Sequence, residues 1–202
     1  MGSIAVVVLA TLGLGAFYAA IFALQRRQTR AQEEAASQWL AAWRERGWRV
    51  TQTSAMEHSL EGSIDGVAVR WEQRVVEHEV GGESKLGVVC EASAASPVAL
   101  GDLTVTSENA LSRLGRSLGA QDLELGDPAF DRAFVVRASD PSTARRVLGP
   151  IAREALCGAL SRVGAVTLRG GRVSLLGSDV AAPASVEDML REVAAVARAL
   201  GR

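Results

Sequence analysis

Histidine and cysteine are the side chains best suited to metal ligation or nucleophilic work, and this chain has two of each: His58, His78, Cys90 and Cys157. A local metal site needs them at short spacing, as in C-x-x-C, H-x-x-x-H or H-E-x-x-H. None of those spacings occurs. His78 stands between Glu77 and Glu79, where a solvated surface histidine is expected. Cys90 lies in an apolar run and reads as a small buried hydrophobe. Cys157 falls towards the polar edge of a helix and is the more accessible thiol. Phosphate-cradling glycine motifs are missing too: there is no G-x-x-x-x-G-K-[ST], and no G-x-G-x-x-G follows a strand. Asp127 and Asp131 form an acidic pair, but Gly126 and Pro128 make a turn around them, so both read as turn and cap residues. No catalytic residue, cofactor-binding residue or metal ligand is assigned, and no cofactor is expected.

The elements that would carry any site divide into two unlike parts. Residues 2–24 contain no charge, so all 22 basic and 23 acidic residues lie beyond them. The run at residues 4–24, IAVVVLATLGLGAFYAAIFAL, would reach about 31 Å as a helix, matching a bilayer core of about 30 Å. A secretory signal would carry basic residues before such a run and an A-x-A-like cleavage site after it. Here Arg26, Arg27 and Arg30 follow it instead. Positive residues favour the cytoplasmic side. The expectation is a single-pass inner-membrane anchor over residues 1–25, with the N-terminus outside and the remaining chain in the cytoplasm. The three arginines would contact anionic lipid headgroups, worth about 1 kcal/mol each. Gly15, Ala19 and Ala23 recur every fourth residue, a small-residue stripe through which two copies could pair as a homodimer.

Residues 26–47 are rich in helix formers, with Gly47 as a stop, and read as a juxtamembrane stalk helix. Trp39 and Trp43 on it read as packing residues rather than a ligand cage. Residues 48–202 read as a cytoplasmic domain. Asp65-Gly66 and Gly170-Gly171 are two-residue hairpin signals, and Gly81-Gly82 turns the chain between two further strands. Leu111, Leu114 and Leu118 share one side of a helix. Residues 122–125 and 130–137 read as strands around the Gly126-Asp127-Pro128 turn. Asp140-Pro141 opens a helix, Gly149-Pro150 breaks it and starts another over 151–163, and Ser185 opens the last. Val186, Met189, Leu190, Val193, Ala197 and Leu200 form an apolar stripe on that helix. Strands and helices mix without a βαβ rhythm, so the fold class is α+β: a mixed, antiparallel-rich sheet with packed helices.

Residues 123–148, LELGDPAFDRAFVVRASDPSTARRVL, carry the pattern G-D-P-x-F-D-x-x-F-x-V followed by a D-P-initiated helix. This segment resembles one that recurs in an uncharacterised bacterial membrane-anchored family of unknown function. A weaker likeness covers residues 60–69, LEGSIDGVAV. The resemblance implies an N-terminal membrane helix with a cytoplasmic α+β domain, and it brings no catalytic residues. Within the segment, Asp131, Arg132, Arg137 and Asp140 are the candidate binding surface.

Residues 25–49 carry six arginines against three glutamates, which leaves the remaining body mildly acidic. A near-neutral chain with 4% aromatics and no large basic patch excludes a nucleic-acid partner. The leading expectation is therefore a membrane-tethered, non-enzymatic interaction or scaffold module, with the bilayer and an unidentified protein as partners. The alternatives are a hydrolase-like enzyme near the membrane with a noncanonical site, and a small-ligand sensor domain.

Overall fold

The computed structural model describes residues 33–54, 56–80, 82–98, 101–107, 123–177 and 183–201. The chain divides into two compact units, residues 1–45 and 46–202. In the first, residues 33–45 form helix α1, on which Trp39 and Trp43 meet edge to face with ring centroids 6.4 Å apart. Gly47 follows it at φ +83°, a left-handed backbone that glycine adopts without steric cost. No helix among the described residues is long and apolar enough to cross a membrane. The run at residues 4–24, the arginines at 26, 27 and 30, and the Gly15, Ala19, Ala23 stripe all lie outside the described residues, as does the leucine-striped segment around residues 111–118.

The second unit is α+β, built on one eight-stranded sheet. Its elements in chain order are β1 (Arg49–Gln52), β2 (His58–Ile64), β3 (Val67–Val80), β4 (Glu83–Ala95), β5 (Leu103–Ser107), α2 (Pro128–Ala133), β6 (Phe134–Ala138), α3 (Pro141–Val147), α4 (Pro150–Leu160), β7 (Ala165–Arg169), β8 (Arg172–Gly177) and α5 (Pro183–Leu200). The strand order is β1-β2-β3-β4-β8-β7-β5-β6. Every pairing is antiparallel, so the sheet is less mixed than its sequence suggests. Asp65 at φ 48° and Gly66 at φ 80° make the β2–β3 turn, and Gly170 and Gly171 at φ 57° and 72° make the β7–β8 turn. Two consecutive left-handed residues match the twist of the flanking strands.

Side chains alternate across a pleated sheet, so neighbouring cross-strand lines face opposite ways. One line runs Val50, Leu60, Trp71, Ala92, Leu175, Val166, Val105, Val136 across all eight strands. It is apolar throughout, and from Leu60 onward every member is buried. Helix α5 packs across β2, β3, β4 and β8, with Val186, Leu190, Val193 and Ala197 buried along its stripe. Helix α4 packs on α5 and β7. Burial of an aliphatic side chain contributes about 1.5–3 kcal/mol, so this line and its covering helices are the principal source of stability.

The elements differ from the sequence reading in four places. Residues 128–133 are helical rather than the start of a strand, and residues 123–125 form no strand. Phe130 and Phe134 stand four apart, a spacing that satisfies both a helix and an alternating strand. The turn of helix brings their rings to 4.9 Å. Helix α4 stops at Leu160, short of Val163, and α5 begins at Pro183, ahead of Ser185. Proline suits a first helical turn because its missing N–H would have no partner there.

Candidate functional site

The G-D-P-x-F-D segment is held together by carboxylates bonded to backbone. Asp127 caps α2, its Oδ1 accepting from the N–H groups of Ala129 and Phe130 at 3.2 Å each. Its Oδ2 also meets Arg153 Nη1 at 3.3 Å. Asp131 reaches back from α2 and accepts from the backbone N–H of Leu125, Gly126 and Asp127 at 3.0, 3.0 and 3.1 Å. Asp140 caps α3, accepting from Ser142 N–H, Thr143 N–H and the Ser142 hydroxyl at 3.0, 3.2 and 2.7 Å. Hydrogen bonds from Thr143 and Ser142 hold the Asp140 carboxyl well below the usual carboxylate range. Arg132 donates to the carbonyl of Pro128 in its own helix. Of the four residues singled out in sequence, Asp131, Arg132 and Asp140 are thus engaged within their own loop and helices. Arg137 stands elsewhere, on β6 in the sheet.

The structure brings Arg137 into a different group. One residue along from the apolar line, a second line crosses all eight strands: Arg49, Glu61, Arg70, Ser93, Ser174, Thr167, Thr104, Arg137. Every member is polar, and by strand alternation the line occupies the opposite face. Its β1–β3 end and its centre differ electrostatically. At the β1–β3 end, Arg70 sits between Glu61 at 2.6 Å and Glu72 at 2.9 Å, and Arg49 pairs with Glu61 at 3.2 Å. Those charges are met locally. Towards the centre, Ser93 and Ser174 keep 5% and 7% of their exposure. Arg172, two residues from Ser174 on the same face, donates from Nη1 to Ser93 Oγ at 3.1 Å. Beside it Arg169 meets Asp102 at 3.3 Å.

The nucleophile and ligand candidates disperse. His58 and Cys90 are buried under the helices on the apolar side of the sheet. His58 packs on Trp71 with ring centroids 5.3 Å apart, and burial lowers its pKa. Cys90 Sγ lies 3.7 Å from Gln73 Oε1, and Gln73 Nε2 donates to the Met56 carbonyl at 3.0 Å. Cys157 is exposed on α4, remote in sequence from Cys90 and not joined to it. Desolvation, then the nearby charges of Asp127 and Glu154, push its thiol up. Among the described residues no group of three or more His, Cys, Asp or Glu is placed to hold a metal ion. One spacing escaped the sequence reading: Gly115, Ser117 and Gly119 have the G-x-S-x-G form of a nucleophile elbow. They lie outside the described residues, in a segment whose leucines recur at helical rather than strand spacing.

Arg172, Ser93, Ser174 and Thr167 were invisible as a group in the sequence. Their only local signal is the alternation of Thr104 and Thr106 on β5, Thr167 and Arg169 on β7, and Arg172 and Ser174 on β8, with Ser93 on β4, and the register between distant strands assembles them.

An antiparallel sheet with helices over its apolar face and a polar line across the other is an α+β architecture. No family model matches the chain, and no curated protein matches it in sequence. In fold it is similar to the crystal structure of the mycobacterial trehalose monomycolate transport factor A, TtfA. The TM-score is 0.51 at 13% identity, and the alignment covers 85% of this chain and 95% of that one. At that identity the likeness is one of fold.

Proposed function

We propose that this chain is a membrane-tethered, non-enzymatic interaction module whose working surface is the polar face of its sheet. The observation that carries the reading is the line of eight polar residues from Arg49 to Arg137, set beside an equally continuous apolar line. A sheet face that only met solvent would need polar residues but not a Ser93–Ser174–Thr167–Thr104 hydroxyl tract bounded by arginines. The fold neighbour is a transport factor, which agrees with a domain that works by binding. Residues 1–25 supply the anchor in this reading, residues 26–47 the stalk and residues 48–202 the cytoplasmic domain. Arg26, Arg27 and Arg30 lie against the headgroups, and Gly15, Ala19 and Ala23 are the route to self-association.

The test uses the full-length protein in its own membrane with a photo-crosslinking residue at Thr167, on the polar face, or at Ile151, exposed on α4 at 55%. Capture of one defined component from Thr167 and not from Ile151 supports the reading. Equal capture from both, or from neither, overturns it. A C-terminal reporter active only in the cytoplasm supports the topology, and periplasmic activity overturns it.

A further inference from the structure

Arg49 and Arg70 spend their charge on Glu61 and Glu72 within the sheet. Arg172 is arranged differently. A single donor, Nη1, goes to Ser93 Oγ, and no carboxylate among the described residues pairs with its guanidinium. That bond aims the side chain along the sheet and leaves the other donors of its fork available. Directly beside it the hydroxyls of Ser174 and Thr167, cross-strand partners, have no side-chain partner among the described residues. Arg169 sits opposite Arg172 and pairs with Asp102 at 3.3 Å. Three adjacent strands therefore hold one exposed, positioned guanidinium, the half-buried hydroxyl of Thr167 aligned across the ladder with the buried Ser174, and a third hydroxyl, the buried Ser93, that sets the guanidinium. A planar fork plus hydroxyl donors is the donor set for a tetrahedral oxyanion: the fork takes two oxygens and each hydroxyl one more.

We infer that Arg172, Ser93, Ser174 and Thr167 form a binding site for a phosphate monoester, borne by a small soluble molecule or by a lipid headgroup. Arg172 supplies the charge, Ser174 and Thr167 complete the oxygen contacts, and Ser93 positions the guanidinium. The inference rests on the polar face being the working surface and adds the chemical class that it takes.

The probe is glycerol 3-phosphate, titrated by calorimetry into the full-length protein in phosphatidylcholine nanodiscs, with glycerol as the uncharged comparison. The expected result is saturable binding of glycerol 3-phosphate and none of glycerol. Arg172→Gln weakens it at least tenfold, Ser174→Ala weakens it several-fold, and Arg172→Lys, which keeps charge but not the fork, falls between wild type and Arg172→Gln. Nanodiscs containing phosphatidic acid separate the sources. If the headgroup occupies the site, glycerol 3-phosphate affinity drops in wild type while Arg172→Gln is indifferent to the lipid. An affinity unchanged by that lipid assigns the site to soluble esters. Absence of saturable binding in phosphatidylcholine discs overturns the inference, as does binding that Arg172→Gln leaves intact while its thermal transition matches wild type. A specific capture from Thr167 without phosphate binding would remove this inference and leave the interaction module standing; loss of both would remove both.

Discussion

The backbone N–H of Asp127 donates to the carboxylate of Asp131 at 3.1 Å, so the residue that caps helix α2 is itself held by a side chain one turn into that helix. Asp131 also gathers the N–H groups of Leu125 and Gly126, and Gly126 takes φ +76° to allow it. The loop entering α2 is closed around one carboxylate, much as a capping box closes the first turn of a helix.

Asp131→Ala should therefore cost about 2 kcal/mol of stability, because it strands backbone donors that the carboxylate satisfies. Asp131→Asn should cost less, since the amide oxygen still accepts. Arg132→Ala should stay within about 0.5 kcal/mol. Urea unfolding of the three variants checks the order. An Arg132→Ala loss as large as that of Asp131→Ala would contradict the structural assignment of Asp131.

His58 predicts a pH dependence. Burial lowers its pKa from the ordinary 6.5, so the unfolded chain takes up a proton at a pH where the folded chain does not. Stability contributed by the neutral imidazole is complete above about pH 6.5 and is lost as the pH falls from there towards the folded pKa. Urea midpoints should decline on acidification through that window in wild type. The slope should be shallower in His58→Gln, and equal slopes would show that another group governs the transition.

A side chain at position 62 meets an aromatic wall. A Cβ built on Gly62 would fall 2.5 Å from Cδ2 of Trp48, so the indole must move to admit even alanine. Gly62→Ala should cost about 1–3 kcal/mol, typical of overpacking. The same substitution in a Trp48→Ala background should cost far less, and a double-mutant cycle reads that coupling directly. Additive losses would mean that the ring is not the obstacle.

Cys157 is exposed yet should alkylate slowly. Its thiol is pushed up by desolvation and by the charges of Asp127 and Glu154, which lowers the thiolate fraction at neutral pH. Iodoacetamide should label it more slowly than an unperturbed cysteine, with Glu154→Gln faster than wild type. Cys90, buried on β4, should stay unlabelled until the protein unfolds. Fast labelling of Cys157 in the native protein would count against the electrostatic setting described here.

Local signals were legible because their cause is local. A two-residue turn with both residues left-handed needs Asp-Gly or Gly-Gly, and the chain has them at Asp65-Gly66 and Gly170-Gly171. Asp140 before Pro141 caps α3 because the carboxylate and the missing proline N–H answer the same unsatisfied donors. The stripe of α5 follows from helical periodicity alone, and each of its six members is buried. Phe130, by contrast, reads as the start of a strand and is helical: its spacing to Phe134 fits both structures, and the carboxylate of Asp131, gathering three backbone donors, decides for the helix.

By itself, then, the sequence determined where the chain turns, which helices carry an apolar face, and that the domain mixes strands with helices. It also determined the charge-free run and the arginines after it, which motivate the tether. Only the tertiary structure decided that β8 lies beside β4, and so that Ser93 meets Ser174 and Arg172 across more than seventy residues of chain. The reason is physical. Turns and periodicity depend on neighbours within a few residues, while strand order depends on which apolar faces bury one another. The line from Arg49 to Arg137 exists only once that burial has been settled.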